Sequence, residues 1–151
     1  MKLVPPISAR LLDEAPAFPG EAAPTVAQLA GLRYERRVVS ALEKLYEQVI
    51  PGPWIAYRSR QKSGLCQPDA LVWLDNSRLL LVEVKLSWQR TARQKLMDLY
   101  GPLVQEIYKP DEISYVQIYK NWKRGAHKKP LNFYELDANF KKGKYKECHL
   151  P

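Results

Sequence analysis

Cysteine and histidine are scarce in this chain, which carries two of each. Cys66 and Cys148 lie far apart, with no CxxC pair and no Cys/His cluster. That excludes a zinc-site signature and a disulfide framework, and it fits a reducing compartment. His127 and His149 have no ligand partners at metal spacing. Long apolar runs are missing too, so no segment approaches a membrane span. The opening stretch "MKLVPPISARLL" is too short in apolar residues for a signal peptide and is interrupted by two prolines. These absences predict an intracellular, cytoplasmic protein with no membrane partner.

What is present amounts to one domain. A chain of 151 residues with an apolar share of 46% is long enough to bury a core without staples. The formal charge of +8 favours polyanionic partners, nucleic acid among them. In residues 1–34 the charges cancel. From Lys120 onward nine Lys/Arg face Glu135, Asp137 and Glu147. This surplus lies in "KNWKRGAHKK" and "KKGKYK", with Trp122 and Tyr145 interleaved. Two readings fit: a segment for phosphates and exposed bases, including Lys123 and Arg124, or a solvated tail.

Pattern divides the chain into three parts. Residues 1–24 hold five of the twelve prolines and predict an extended arm outside the compact unit. Residues 25–119 form the core. Thr25 and Gln28 have capping-box spacing, which predicts a helix running to about Val49, stopped by Pro51 and Pro53. Leu32, Val38, Val39, Leu42, Leu45 and Tyr46 make its apolar stripe, and Glu35 lies on that stripe. A charge there needs a partner, a metal or a cleft, unless it snorkels at the helix edge.

Three strands follow: "WIAYRSR" (54–60), then "DALVWL" (69–74) and "RLLLVEVKL" (78–86). The last two flank Asp75-Asn76-Ser77 and predict an antiparallel hairpin. "QKSG" between the first two reads as a basic loop. A second helix is expected from Thr91, capped with Gln94, with a kink or short break at Gly101-Pro102. "ISYVQIY" (113–119) closes the core as a strand, and residues 120–151 remain as a basic extension. Trp54 and Trp73 suit the core better than base stacking, and Trp88 suits either.

Side chains two apart on a strand share a face, so Glu83 and Lys85 point together, away from Val82, Val84 and Leu86. The turn sets Asp69, just after Pro68, at the same end of the hairpin. Two carboxylates and an ammonium then gather at one open end of a sheet, with Glu35 as a candidate fourth member. Close carboxylates repel unless a cation lies between them. Mg²⁺ is bound by one or two carboxylates with water and phosphate, and a neighbouring lysine can stabilise charge developing on the phosphate. A structural ion pair is the other reading of Glu83 and Lys85.

Pro68-Asp69, Glu83-Val84-Lys85 and Glu35 on a preceding helix resemble the PD-(D/E)XK nuclease superfamily. The resemblance implies an α/β, restriction-endonuclease-like core, a central mixed β-sheet flanked by α-helices. It further implies that Asp69, Glu83, Glu35 and the Val84 carbonyl hold Mg²⁺ or Mn²⁺, while Lys85 handles the attacking water. Within the superfamily the pattern is closest to archaeal-type Holliday junction resolvases. The matching residues are Gly31 and Glu35, Arg58, Ser63-Gly64, Pro68-Asp69 and Glu83-Val84-Lys85. Expected from this is a metal-dependent DNA endonuclease acting on branched or structured DNA in recombination, repair or phage-type replication. A homodimer would suit paired cuts.

Restriction-type and RecB-like nucleases share the motif, the latter only loosely matched by Gln94 and Tyr100. A non-catalytic nucleic-acid-binding module on the same fold is the alternative from another class. The scarce histidines disfavour an HNH nuclease. Candidate DNA contacts are Arg58, Arg60, Lys62 and Ser63 before the Asp69 strand, and Arg90 and Arg93 after Lys85.

Overall fold

The computed structural model describes residues 2–17, 22–122, 129–136 and 144–151. It is an α/β structure built on a mixed six-stranded sheet. The elements in chain order are β1 (Ser8–Leu11), α1 (Val26–Leu45), β2 (Gln48–Pro51), β3 (Ile55–Arg58), β4 (Ser63–Cys66), β5 (Ala70–Trp73) and β6 (Arg78–Ser87). Then come α2 (Thr91–Gln94), a π-helical stretch Lys95–Tyr100, α3 (Gly101–Tyr108), β7 (Glu112–Asn121), β8 (Leu131–Asn132) and β9 (Tyr145–His149). The large sheet runs in the order β2-β5-β6-β7-β9-β8, and a second, three-stranded sheet runs β1-β3-β4.

The predicted hairpin is present. β5 and β6 pair antiparallel with Ala70 opposite Val82 and Trp73 opposite Leu79. The turn is held by Asp75, whose carboxylate accepts from the Ser77 and Arg78 backbone N–H groups, both at 2.9 Å. β6 and β7 pair in parallel, because a helical crossover lies between them. Alternation along β6 then divides the core. Leu80, Val82 and Val84 face α1 through Tyr34, Val38 and Leu42. Leu79 and Leu81 face the opposite layer through Leu96, Tyr100, Leu103 and Val104. Both faces of the strand are covered, which is why it reads as a nearly unbroken apolar run.

Several expectations are corrected. α1 opens at the predicted capping box, with Thr25 accepting from Gln28 N–H at 3.1 Å and Gln28 accepting from Thr25 N–H at 2.8 Å. It ends at Leu45, not Val49, because Gln48–Pro51 form the edge strand beside β5. Its buried stripe is Tyr34, Val38 and Leu42, while Leu32 and Leu45 are exposed. "WIAYRSR" supplies β3 of the small sheet, and half of the expected "QKSG" loop belongs to β4. Thr91 is the first helical residue and makes no capping bond.

The helical run continues through Gly101-Pro102 without a break. Its preceding turn widens instead, with Gly101 N–H donating to Leu96 C=O. That extra residue absorbs the constraint of a proline that cannot continue the hydrogen-bond ladder.

Described parts of both predicted extensions belong to the folded unit. β1 of the Pro-rich segment pairs with β3, and Leu3 is buried against the helical layer, its N–H donating to Asp98 C=O at 2.9 Å. In the basic extension β9 pairs with β7, and Phe133, Leu136, Cys148 and Leu150 are buried. Among the described residues no helix is long and apolar enough to cross a membrane.

Candidate active site

The antiparallel ladder between β5 and β6 ends at Ala70 and Val82, so Asp69 and Glu83 are the next pair in register. Pro68 precedes them and has no N–H with which to extend the ladder. The Asp69 carboxylate turns across the gap and accepts the Val84 N–H at 2.6 Å. In a strand, the N–H and C=O of one residue point to the same side. The Val84 carbonyl therefore opens toward the same gap. Asp69 stays fixed from behind, because its own carbonyl accepts Gly52 N–H at 3.0 Å.

Glu83 and Lys85 continue the alternating face that carries Leu79 and Leu81. Glu83 is 2% exposed. One of its oxygens lies 3.7 Å from Lys85 Nζ and the other 3.9 Å from Lys95 Nζ. Both distances exceed a good hydrogen bond. Glu83 Oε2 accepts none, although it is buried. α1 covers the other face of the sheet, yet Glu35 near its N-terminal half reaches the open end and joins Asp69, Glu83, Val84 and Lys85. These five line one cleft of about 1100 Å³, which Lys95, Gln67 and Gln89 also line.

Electrostatics follow from this crowding. Burial first and the Asp69 carboxylate second raise Glu35 to about 7, against the lowering pull of Lys85 and Arg36. Glu83 is pushed well above the usual carboxylate range, first by burial and then by Asp69, with Lys95 and Lys85 opposing. Isolated from other partners, this is an unfavourable place to hold negative charge.

The donor set is entirely hard oxygen: three carboxylates and a carbonyl. Among the described residues no three His, Cys, Asp or Glu side chains group closely enough to hold a metal ion by themselves. Oxygen donors of this kind suit an ion that takes one or two protein carboxylates and completes its shell with water and substrate, as Mg²⁺ does. The buried, unbonded Glu83 oxygen fits the same ion. Among the described residues that line the cleft there is no Cys or His, the residues that supply most zinc ligands.

Other predicted residues fall elsewhere. Arg58, Arg60, Lys62 and Ser63 are exposed on the small sheet's hairpin and do not line this cleft. Arg90 and Arg93 line a neighbouring one. Lys123 and Arg124 lie outside the described residues. Trp54 and Trp73 are half-buried, Trp73 meeting Tyr108 edge-on at 6.5 Å. Gln94 is exposed and not part of the cleft, while the buried Tyr100 donates its hydroxyl to the Gln67 carbonyl at 3.3 Å.

Sequence reasoning missed two groups. Lys95, next in the chain after Gln94, supplies the second ammonium beside Glu83. Gln117, fully buried on β7, holds the chain just after β6: its Oε1 accepts Gln89 N–H at 2.7 Å and its Nε2 donates to Gln89 C=O at 3.0 Å. A glutamine in the middle of the apolar "ISYVQIY" was the available signal, since a buried amide requires partners. No protein-family model, curated protein or solved structure matches this chain.

Proposed function

We propose that this protein is a metal-dependent deoxyribonuclease of PD-(D/E)XK type, with a restriction-endonuclease-like core. It hydrolyses DNA phosphodiester bonds as a structure-selective endonuclease of the Holliday-junction-resolvase kind. One observation carries the reading: Glu35 of α1, Glu83 and Lys85 of β6, and Asp69 just before β5 line a single cleft. A structural ion pair accounts for Glu83 and Lys85 alone. It does not account for two further carboxylates at the same opening.

Asp69, Glu83 and the Val84 carbonyl would hold Mg²⁺ or Mn²⁺, with Glu35 completing the site directly or through water. A bound divalent ion supplies Lewis acidity at a phosphoryl oxygen. The chain's own residues do the remainder. Lys85 sets a fixed positive charge where negative charge grows on the phosphate. It is also placed to orient the attacking water. Lys95 offsets the charge of Glu83 from the other side. The Val84 N–H holds Asp69 in one orientation, so its free oxygen needs no rearrangement before reaction.

The test is a panel of four-way junctions, flaps, linear duplex and single strands incubated with Mg²⁺. Cleavage is expected on branched substrates first and is expected to vanish in Asp69→Ala. Equal residual cleavage by wild type and variant would defeat the proposal. Discrete plasmid fragments that ignore branching would instead indicate a sequence-specific enzyme.

A further inference from the structure

A second cleft, of about 580 Å³, adjoins the carboxylate cleft across Gln89. Trp88 and Arg90, on either side of that residue, line it together with Arg93, Lys129, Tyr145 and Lys146. Four cations thus meet two aromatic rings, and one carboxylate, Glu147, opposes them. Glu147 is already engaged: it accepts the Trp88 indole N–H and the Tyr145 hydroxyl, the latter at 2.8 Å. The Arg93 guanidinium lies 5.5 Å from the centre of the Tyr145 ring. Gln117, which holds Gln89, also donates to the Tyr145 hydroxyl at 2.9 Å. One buried amide therefore braces both the wall between the clefts and a ring inside the second.

The size of this cleft limits what enters. Its volume is that of a site burying one small ligand, about 300–1,000 Å³. A base-paired helix is far too wide, whereas one nucleotide of an unpaired strand fits. Cations track the phosphates of such a strand and aromatic rings tolerate any base, the combination that single-strand sites use.

We infer that this cleft is a second binding subsite, holding an unpaired nucleotide of the DNA strand next to the phosphate in the carboxylate cleft. Its placement beside a reacting phosphate rests on the nuclease reading above. It supplies a basis for branch selectivity, since only strands that leave the duplex reach it.

The test compares two fluorescent probes, a duplex with a short unpaired flap and the same duplex fully paired, in EDTA. Arg90→Gln/Lys129→Gln removes two exposed cations, and an unchanged melting temperature shows that the fold survives. Flap affinity is expected to fall about 10-fold or more, against less than about 3-fold for the paired duplex. The salt dependence of flap binding should flatten by about 1.4, two phosphates at ~0.7 each. Equal losses on both probes, no loss on either, or poly-glutamate displacing the flap as well as an unlabelled single strand does would each overturn the inference. Selective, cation-dependent flap binding without cleavage in Mg²⁺ would leave the subsite standing and remove the nuclease reading. Cleavage with unaltered flap binding by the variant would do the reverse.

Discussion

Glu83 is the residue whose environment is hardest to satisfy without a cation. Its pKa and that of Glu35 are both raised, the latter to about 7, by burial first and by Asp69 second. A folded state with raised carboxyl pKa values holds protons that the unfolded chain has already released. Stability of the metal-free protein therefore falls as pH climbs from the ordinary carboxylate range through about 7. Thermal melts in EDTA at pH 5.5 and pH 8 should show the lower melting temperature at pH 8. Glu83→Gln, which cannot ionise, should reduce that difference. A variant with the same pH dependence as wild type would show that Glu83 is not held in this state. At this scale the sequence was informative: alternation on one strand put Glu83 and Lys85 on a shared face, and the turn put Asp69 beside them. Lys95 was not legible, because its approach to Glu83 depends on how a helix packs over the sheet.

Among the elements, the widened turn before Pro102 fixes where Lys95 and Tyr100 lie. Gly101 closes that turn against β7. A Cβ there would come within 2.8 Å of the Tyr115 hydroxyl and 3.3 Å of the Leu96 carbonyl. The ring end can shift, but the carbonyl is backbone. Gly101→Ala is expected to cost about 1–3 kcal/mol of stability, as overpacking does, measurable by urea unfolding. No loss would mean that the turn relaxes freely. This turn illustrates what sequence conceals at the element scale. Gly-Pro marked a disturbance correctly, but not its form. Val49 was likewise expected in a helix that Pro51 and Pro53 would stop, and it went into a strand, because β5 presents an edge to be paired and tertiary pairing overrides local pattern.

For the whole molecule, the largest departure from expectation is that described parts of both extensions are structural. "KYKECHL" reads as a basic tail because its apolar content is slight. Yet β9 completes the sheet beside β7, burying Cys148 and Leu150, and the buried Tyr34 hydroxyl donates to the Leu150 carbonyl at 2.7 Å. Removing 144–151 would open the β7 edge and leave that hydroxyl without its acceptor. The truncated protein should lose its cooperative melt or aggregate on purification. An unchanged melting temperature would return the segment to the status of a tail. Lys129 and Lys146 of the basic extension line the second cleft.

If these carboxylates and Lys85 form a reaction centre, metal binding and cleavage separate at Lys85. Mn²⁺ affinity and single-turnover cleavage of a four-way junction would be measured side by side for wild type and Lys85→Ala. Lys85 is assigned to the phosphate and the attacking water, not to the metal. Binding should therefore stay within about 3-fold while the cleavage rate falls about 100-fold or more, the size of losing one preorganised electrostatic contact. Equal cleavage rates for the two proteins would show that Lys85 and the carboxylates beside it are not a reaction centre.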